Sequence, residues 1–205
     1  YGFSNFYDSK DLNIKTRWQE TRDVIFYNKA LDILKENTSK PKFIFIVTIQ
    51  NHGPHDSASI YNFDKTNGKL SDYLNRLKEV DEDYINFSEK FFNKQKKAVL
   101  LNFGDHQPFF SGLAESLKKN EGNKFTTFYK ISDNYNIHPI PHKEIDISFL
   151  ASTLIEHAKL NLGEYWKSNL ELSKICPKHY KSCSKEIRKN YFKTTLNDLA
   201  AISHE

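Results

Sequence analysis

One long helical stripe held between two short apolar runs limits this 205-residue chain to few architectures. Leu70, Tyr73, Leu77, Val80, Tyr84, Phe87 and Phe91 recur at alternating spacings of three and four, which predicts an amphipathic helix over residues 71–93. Residues 43–49 before it and 98–103 after it are apolar runs of strand length, the first of them continuous. A continuous run is the pattern of a strand covered on both faces. Strand, helix, strand reads as a βαβ unit, whose two strands run parallel through a right-handed crossover. The expected fold class is therefore α/β, a mostly parallel sheet flanked by helices.

Each apolar run stops at a turn that carries chemistry. The first is followed by Gln50-Asn51-His52-Gly53-Pro54-His55-Asp56, where Asn, Gly and Pro force the chain out of strand geometry. The second is followed by Gly104-Asp105-His106-Gln107-Pro108. In open α/β sheets, ligands bind in the crevice beyond the carboxyl ends of the strands. Parallel strands would bring His52 and the Asp105–His106 pair to one edge. A carboxylate oxygen and a neutral imidazole nitrogen suit a borderline divalent cation. The plainer reading makes Asp105 a cap and His106 a surface residue.

The remaining elements follow from local pattern. Thr21 is placed to cap a helix carrying Val24, Tyr27, Ala30, Leu31 and Leu34, which ends near Asn37, ahead of Pro41. Residues 111–120 read as a short helix, 125–131 as another strand, and 133–142, with two prolines, as a loop. Asp146 can cap a helix with Ile147, Leu150, Leu154 and Ala158 on one face, and His157 on it reads as a packing or surface residue. Tyr165, Trp166 and Leu170 mark a further helix, and residues 185–203 a last one with a lysine-rich solvated face. No repeat or low-complexity linker divides the chain, so a single domain over 1–205 is expected.

Composition excludes several classes. With 38% hydrophobic and 14% aromatic residues, the chain can build a core and is not of the disordered class. A net charge of +4 suits an anionic substrate or surface but is too small to indicate nucleic acid. No apolar run approaches the ~18 residues of a membrane span. The two cysteines, Cys176 and Cys183, read as a short-loop disulfide, which would imply an oxidising compartment, or equally as two free thiols. Zinc on Cys176, His179 and Cys183 is disfavoured, because structural sites want four ligands. The chain starts at Tyr1 and contains no methionine, so a processed product or a piece of something larger is expected.

Taken in order, the motifs carry a family likeness. Tyr1-Gly-Phe-Ser-Asn-Phe-Tyr-Asp8, Thr48-Ile-Gln-Asn-His52-Gly-Pro54, the helix over residues 73–92, Gly104-Asp105-His106 and the Asp-containing helix over 144–160 resemble the carboxyl-side half of a sulfatase-type domain. The domain type is that of the alkaline-phosphatase superfamily, and the nearest likeness is to the lipoteichoic-acid synthase and phosphoglycerol transferase branch. The resemblance implies that Asp105 and His106 are ligands of a divalent metal ion (Mn, Zn, Mg or Ca). It implies that His52 contacts the substrate phosphate and protonates the leaving oxygen. It further implies a phosphate- or sulfate-ester substrate, lipid-linked or free, and a membrane-anchored parent at the extracytoplasmic, periplasmic face of a bacterial inner membrane. The family's threonine nucleophile, a further acidic ligand and a tryptophan–arginine segment have no counterpart here and belong to an upstream half. The chain alone is thus expected to be incomplete as a fold, to bind metal poorly and to be inactive. The competing readings are a non-catalytic module for anionic glycans or lipid headgroups and, less favoured, a metal-independent hydrolase. For the latter, no Gly-x-Ser-x-Gly elbow occurs.

Overall fold

The computed structural model describes residues 3–17, 20–36, 40–56, 67–110, 125–135, 143–176 and 179–202. They fall into two compact units, Tyr1–Lys96 with His106–Phe128, and Lys97–Asp105 with Tyr129–Glu205. The expected helix over 111–120 lies outside the described residues.

Among the described residues the first unit is built on two helices, α1 (Val24–Lys35) and α2 (Gly68–Lys94). Asn67 starts α2 by accepting a hydrogen bond from the Leu70 amide at 3.1 Å, satisfying one of the orphan donors of the first turn. The two helices meet where Tyr27 and Phe87 stack at 4.6 Å, both buried, with Ala30 and Leu31 in the same core. The Lys42 ammonium donates to the carbonyls of Ile33 and Glu36 and so satisfies acceptors at the carboxyl end of α1.

Two local expectations change here. Thr21 does not cap α1; its hydroxyl donates to the Arg17 carbonyl, and Asp23 occupies the cap position with its carbonyl accepting from the first-turn amides and its side chain making no cap bond. On α2, the most buried residues are Ser71, Asp72, Arg76, Asp83 and Phe87, whereas Leu77 and Ile85 are exposed. The helix period was readable from the apolar stripe, but its inward face is mostly polar. Charges burying themselves against other charges and carbonyls leave no apolar signature. Arg22 shows how this works: its guanidinium grips Asp83 through two bonds of 3.1 and 2.8 Å and reaches Glu79 at 3.3 Å.

The second unit holds the sheet. Strand β1 (Val99–Phe103) pairs antiparallel with β2 (Tyr129–Asp133), Val99 opposite Asp133 and Phe103 opposite Tyr129. Asn134 extends the ladder by exchanging bonds with Ala98. This corrects the expected mostly parallel sheet: among the described residues the sheet has two strands, and they are antiparallel. Residues 43–49 join no ladder among the described residues; Phe43, Phe45 and Val47 are exposed, while Ile44 and Ile46 are partly buried. The alternation is that of a strand with one covered face. An apolar run states that a segment can be a strand, but the partner and the direction depend on which other backbone meets its edge. The strand expected over 125–131 begins later, at Tyr129, and Phe125 and Phe128 are exposed.

The rest of the second unit is a 3₁₀ turn (Ile147–Phe149), α3 (Leu150–His157), α4 (Glu164–Ile175), a second 3₁₀ turn (Tyr180–Ser182) and α5 (Lys185–Ile202). Asp146 caps the first turn, as its position predicted, accepting from the Ser148 amide at 3.0 Å. It also accepts from the Tyr180 amide at 3.0 Å, tying the two turns together. Phe149, Leu172, Cys176 and Cys183 form the core, with Tyr180, Ile187 and Tyr191 packed on it. Cys176 and Cys183 are disulfide-bonded, which decides between the two readings left open by the sequence. His157 is buried, as a packing residue, with its Nε2 3.0 Å from Asp133 Oδ2. No described helix is long and apolar enough to cross a membrane.

Candidate functional site

The first histidine turn is held from three directions, all within the first unit. Its backbone closes through the His52 amide, which donates to the Ile49 carbonyl at 2.9 Å. Asp23, at the start of α1, accepts from the amides of Ile49 and Gln50 at 3.1 and 3.0 Å through one oxygen. The Gln50 side chain returns the contact, accepting from the Asp23 amide at 3.1 Å and donating to Glu79 at 2.5 Å. Asp23 and Gln50 are both almost wholly buried. Burial pushes the Asp23 carboxyl above its ordinary value of 3.8, more than the amide donors of Gln50 and Ile49 pull it down.

From α2 comes Arg76, buried and paired with Asp72 one turn earlier. Nε lies 3.2 Å from Asp72 Oδ1 and Nη2 lies 2.7 Å from Oδ2, a bidentate grip. The other edge of the guanidinium donates to the carbonyls of His52 at 3.1 Å, Pro54 at 3.1 Å and, at the long limit, Gln50 at 3.5 Å. The Gly53–Pro54 bond inside this grip is cis. His55, next along, is buried with its ring edge-on to Tyr73 and Phe110, each 5.4 Å away. Burial, and then the Arg76 charge, hold its pKa below 6.5, so at neutral pH this imidazole is uncharged.

His52 itself is exposed. Its Nδ1 lies 2.8 Å from the carbonyl of Gly53. A carbonyl oxygen can only accept, so Nδ1 carries the proton, and in the neutral ring Nε2 carries the lone pair.

The second turn repeats this arrangement. Asp105 and His106 follow β1 directly after Gly104, and both are exposed. His106 Nδ1 lies 2.8 Å from the Gln107 carbonyl, which again assigns the lone pair to Nε2. Gln107 is fixed in turn, its side chain donating to the Thr126 carbonyl at 2.6 Å. A backbone carbonyl behind one ring nitrogen is the usual means of orienting a metal-ligating histidine. The boundary between the compact units falls between Asp105 and His106, and His52 belongs with His106 in the first. Among the described residues no group of three or more His, Cys, Asp or Glu is gathered to hold a metal. The donor types of Asp105 and His106 fit a borderline divalent ion, but they are two donors where a tight site takes more.

The residues that sequence reasoning missed are Asp23, Gln50, Asp72 and Arg76. The available signal was the spacing of Asp72 and Arg76, four apart beside the apolar stripe of α2. On a solvated face such a pair is ordinary; only its burial makes it informative.

A chain with helices, a short sheet and a histidine turn after each of two apolar runs matches a known domain type. The family model named Sulfatase matches residues 1–160, and the chain belongs to that family. An uncharacterized protein of Haemophilus influenzae is 24% identical over 151 residues, covering 68% of this chain and 27% of that protein. Among solved structures, the Streptococcus pyogenes phosphoglycerol transferase GacH, in complex with sn-glycerol-1-phosphate, is 26% identical. Its TM-score is 0.68 over 83% of this chain and 46% of GacH, so the fold is that of the matched part of GacH. The chain thus spans less than half the length of either relative. The likeness read from the strand-end motifs agrees with both the family and the phosphoglycerol transferase neighbour.

Proposed function

We propose that this chain is part of a metal-dependent phosphoester or sulfate-ester hydrolase or transferase of the phosphoglycerol transferase type. In this reading Asp105 and His106 Nε2 are two of the ligands of a divalent ion, and His52 Nε2 faces the phosphate and exchanges a proton with the leaving oxygen. The observation that carries it is the shared tautomer of His52 and His106: each has Nδ1 committed to a neighbouring carbonyl, leaving Nε2 as the reactive nitrogen, in turns that stand in family order.

A divalent ion bound there would lower the pKa of a hydroxyl nucleophile and screen charge on the transferring group. His52 acts in two protonation states. Neutral, its Nε2 accepts a proton; protonated, it donates one to the oxygen that leaves, while Nδ1 stays on the Gly53 carbonyl throughout. The ring does not have to turn between the two roles. An anionic ester suits the net charge of +4, and the sn-glycerol-1-phosphate bound to GacH supports phosphate over sulfate. The Cys176–Cys183 disulfide supports work outside the cytoplasm. A lipid- or glycan-linked ester and a membrane-anchored parent complete this reading through the family resemblance alone. With two ligands and no threonine nucleophile of the family type, residues 1–205 alone do not turn over substrate in this reading.

The test uses the full-length protein, with metal content and hydrolysis of p-nitrophenyl phosphate and p-nitrophenyl sulfate as readouts. Asp105→Ala should lose bound metal and activity together. His52→Ala should keep the metal and lose about 10²–10⁴ in rate, the usual worth of general acid–base help. Retention of both metal and turnover by Asp105→Ala removes the assignment of Asp105 as a ligand, whereas a wild type that neither binds metal nor hydrolyses either ester favours a non-catalytic module that binds anionic headgroups or glycans.

A further inference from the structure

We infer that Arg76 is the positioning residue of His52: a buried guanidinium, anchored to α2 through Asp72, fixes the backbone of the 50–54 turn from which the His52 ring projects. The inference rests on the proposed role of His52 and goes beyond it.

An arginine near a phosphate-handling histidine invites a simpler role, direct contact with the anion, and the geometry argues against that. A guanidinium has five N–H donors. Two go to the Asp72 oxygens and three to the carbonyls of Gln50, His52 and Pro54. The group is also buried, and its charge is already paired with Asp72. It has neither donors nor access to offer a substrate. What it does offer is rigidity. Carbonyls of three residues within a five-residue stretch converge on one planar group that cannot bend, and the carbonyl of His52 is among them.

The His52 ring is closed on the next carbonyl, that of Gly53, which sits between the two carbonyls Arg76 holds. Fixing the peptides on either side sets where the Gly53 oxygen points, and that oxygen decides which ring nitrogen is protonated. Arg76 therefore acts on His52 through the backbone, without touching the ring. Lysine could not replace it, having three donors on a tetrahedral nitrogen where a planar fork is needed. Asp23 and Gln50 hold the opposite end of the same turn from α1, so residues 49–54 are braced from both helices.

The experiment compares the full-length wild type with a double variant, Asp72→Leu with Arg76→Met, which removes the grip without stranding a buried charge. If that variant does not fold, Arg76→Lys, which keeps the charge beside Asp72, is read instead. Two-bond proton–nitrogen spectra of the ¹⁵N-histidine-labelled protein report ring tautomers, with the His52 signal identified by His52→Gln. In the wild type His52 and His106 should both show the Nδ1-protonated form. In the variant His52 should lose its single tautomer while His106 keeps it. Turnover of p-nitrophenyl phosphate should fall about 100-fold in kcat, the scale of a displaced reacting group, with KM and metal content little changed. An unchanged His52 signal in a folded variant overturns the inference. So does a rise in KM at constant kcat, which would make the guanidinium a substrate contact. A wild type without ester turnover defeats the proposed function alone, since the spectra still decide the role of Arg76.

Discussion

Opening the Cys176–Cys183 disulfide is the perturbation whose size can be worked most directly. The bridge joins residues seven apart in sequence and closes a small loop. In the chain-entropy treatment such a loop restricts the unfolded chain by about 2.5 kcal/mol at 25 °C. Both cysteines are buried against Phe149 and Leu172, so reduction leaves every side chain in place and removes only the cross-link. For a chain of this length about 2–4 °C of melting temperature accompanies each kcal/mol, so a drop of about 5–10 °C is expected. The assay is thermal unfolding with and without reductant, followed by fluorescence of Trp166 on α4, with Trp18→Phe removing the other tryptophan. Replacing both cysteines by alanine should lower the midpoint further, because the sulfur atoms then leave a void in the core. A midpoint that does not move on full reduction would refute the reasoning, since the loop constraint would then carry no stability.

Further substitutions probe two buried sites, His157 and Asp23. His157→Leu removes the imidazole partner of the Asp133 carboxylate, which keeps the Tyr135 amide, and should cost about 1–3 kcal/mol in urea unfolding, with metal content of the full-length protein unchanged; loss of metal would make His157 a ligand instead. At Asp23 burial raises the folded pKa above 3.8, so the acid binds its proton more tightly folded than unfolded. Its contribution to stability is fully present below pH 3.8 and fades as pH rises through the raised folded value. Asp23→Asn, which cannot ionise, should therefore match the wild type in acid and exceed it near pH 7. Asp23→Ala, which orphans the amides of Ile49 and Gln50, should be destabilised at every pH. Urea midpoints across pH 3–7 separate the two, and an asparagine variant that weakens as pH rises would reverse the assigned sign.

The sequence by itself determined where the described helices lie and where the apolar runs end. The period of three and four placed α2, the Asn, Gly and Pro clusters ended the apolar runs at His52 and Asp105–His106, and Asp146 announced its cap. These signals are local: a dihedral preference, a missing amide or a repeating apolar position is set by neighbours along the chain. Tertiary structure alone decided what required distant groups to meet. It gave β1 an antiparallel partner in β2, left residues 43–49 outside the ladder of the described residues, closed the disulfide, and turned Asp72, Arg76, Asp23 and Gln50 from surface-type residues into a buried brace. The reason is energetic. Apolar burial marks a sequence because it selects residue types, whereas a buried charge survives only through partners supplied by other elements, and one chain read alone does not say which elements those are.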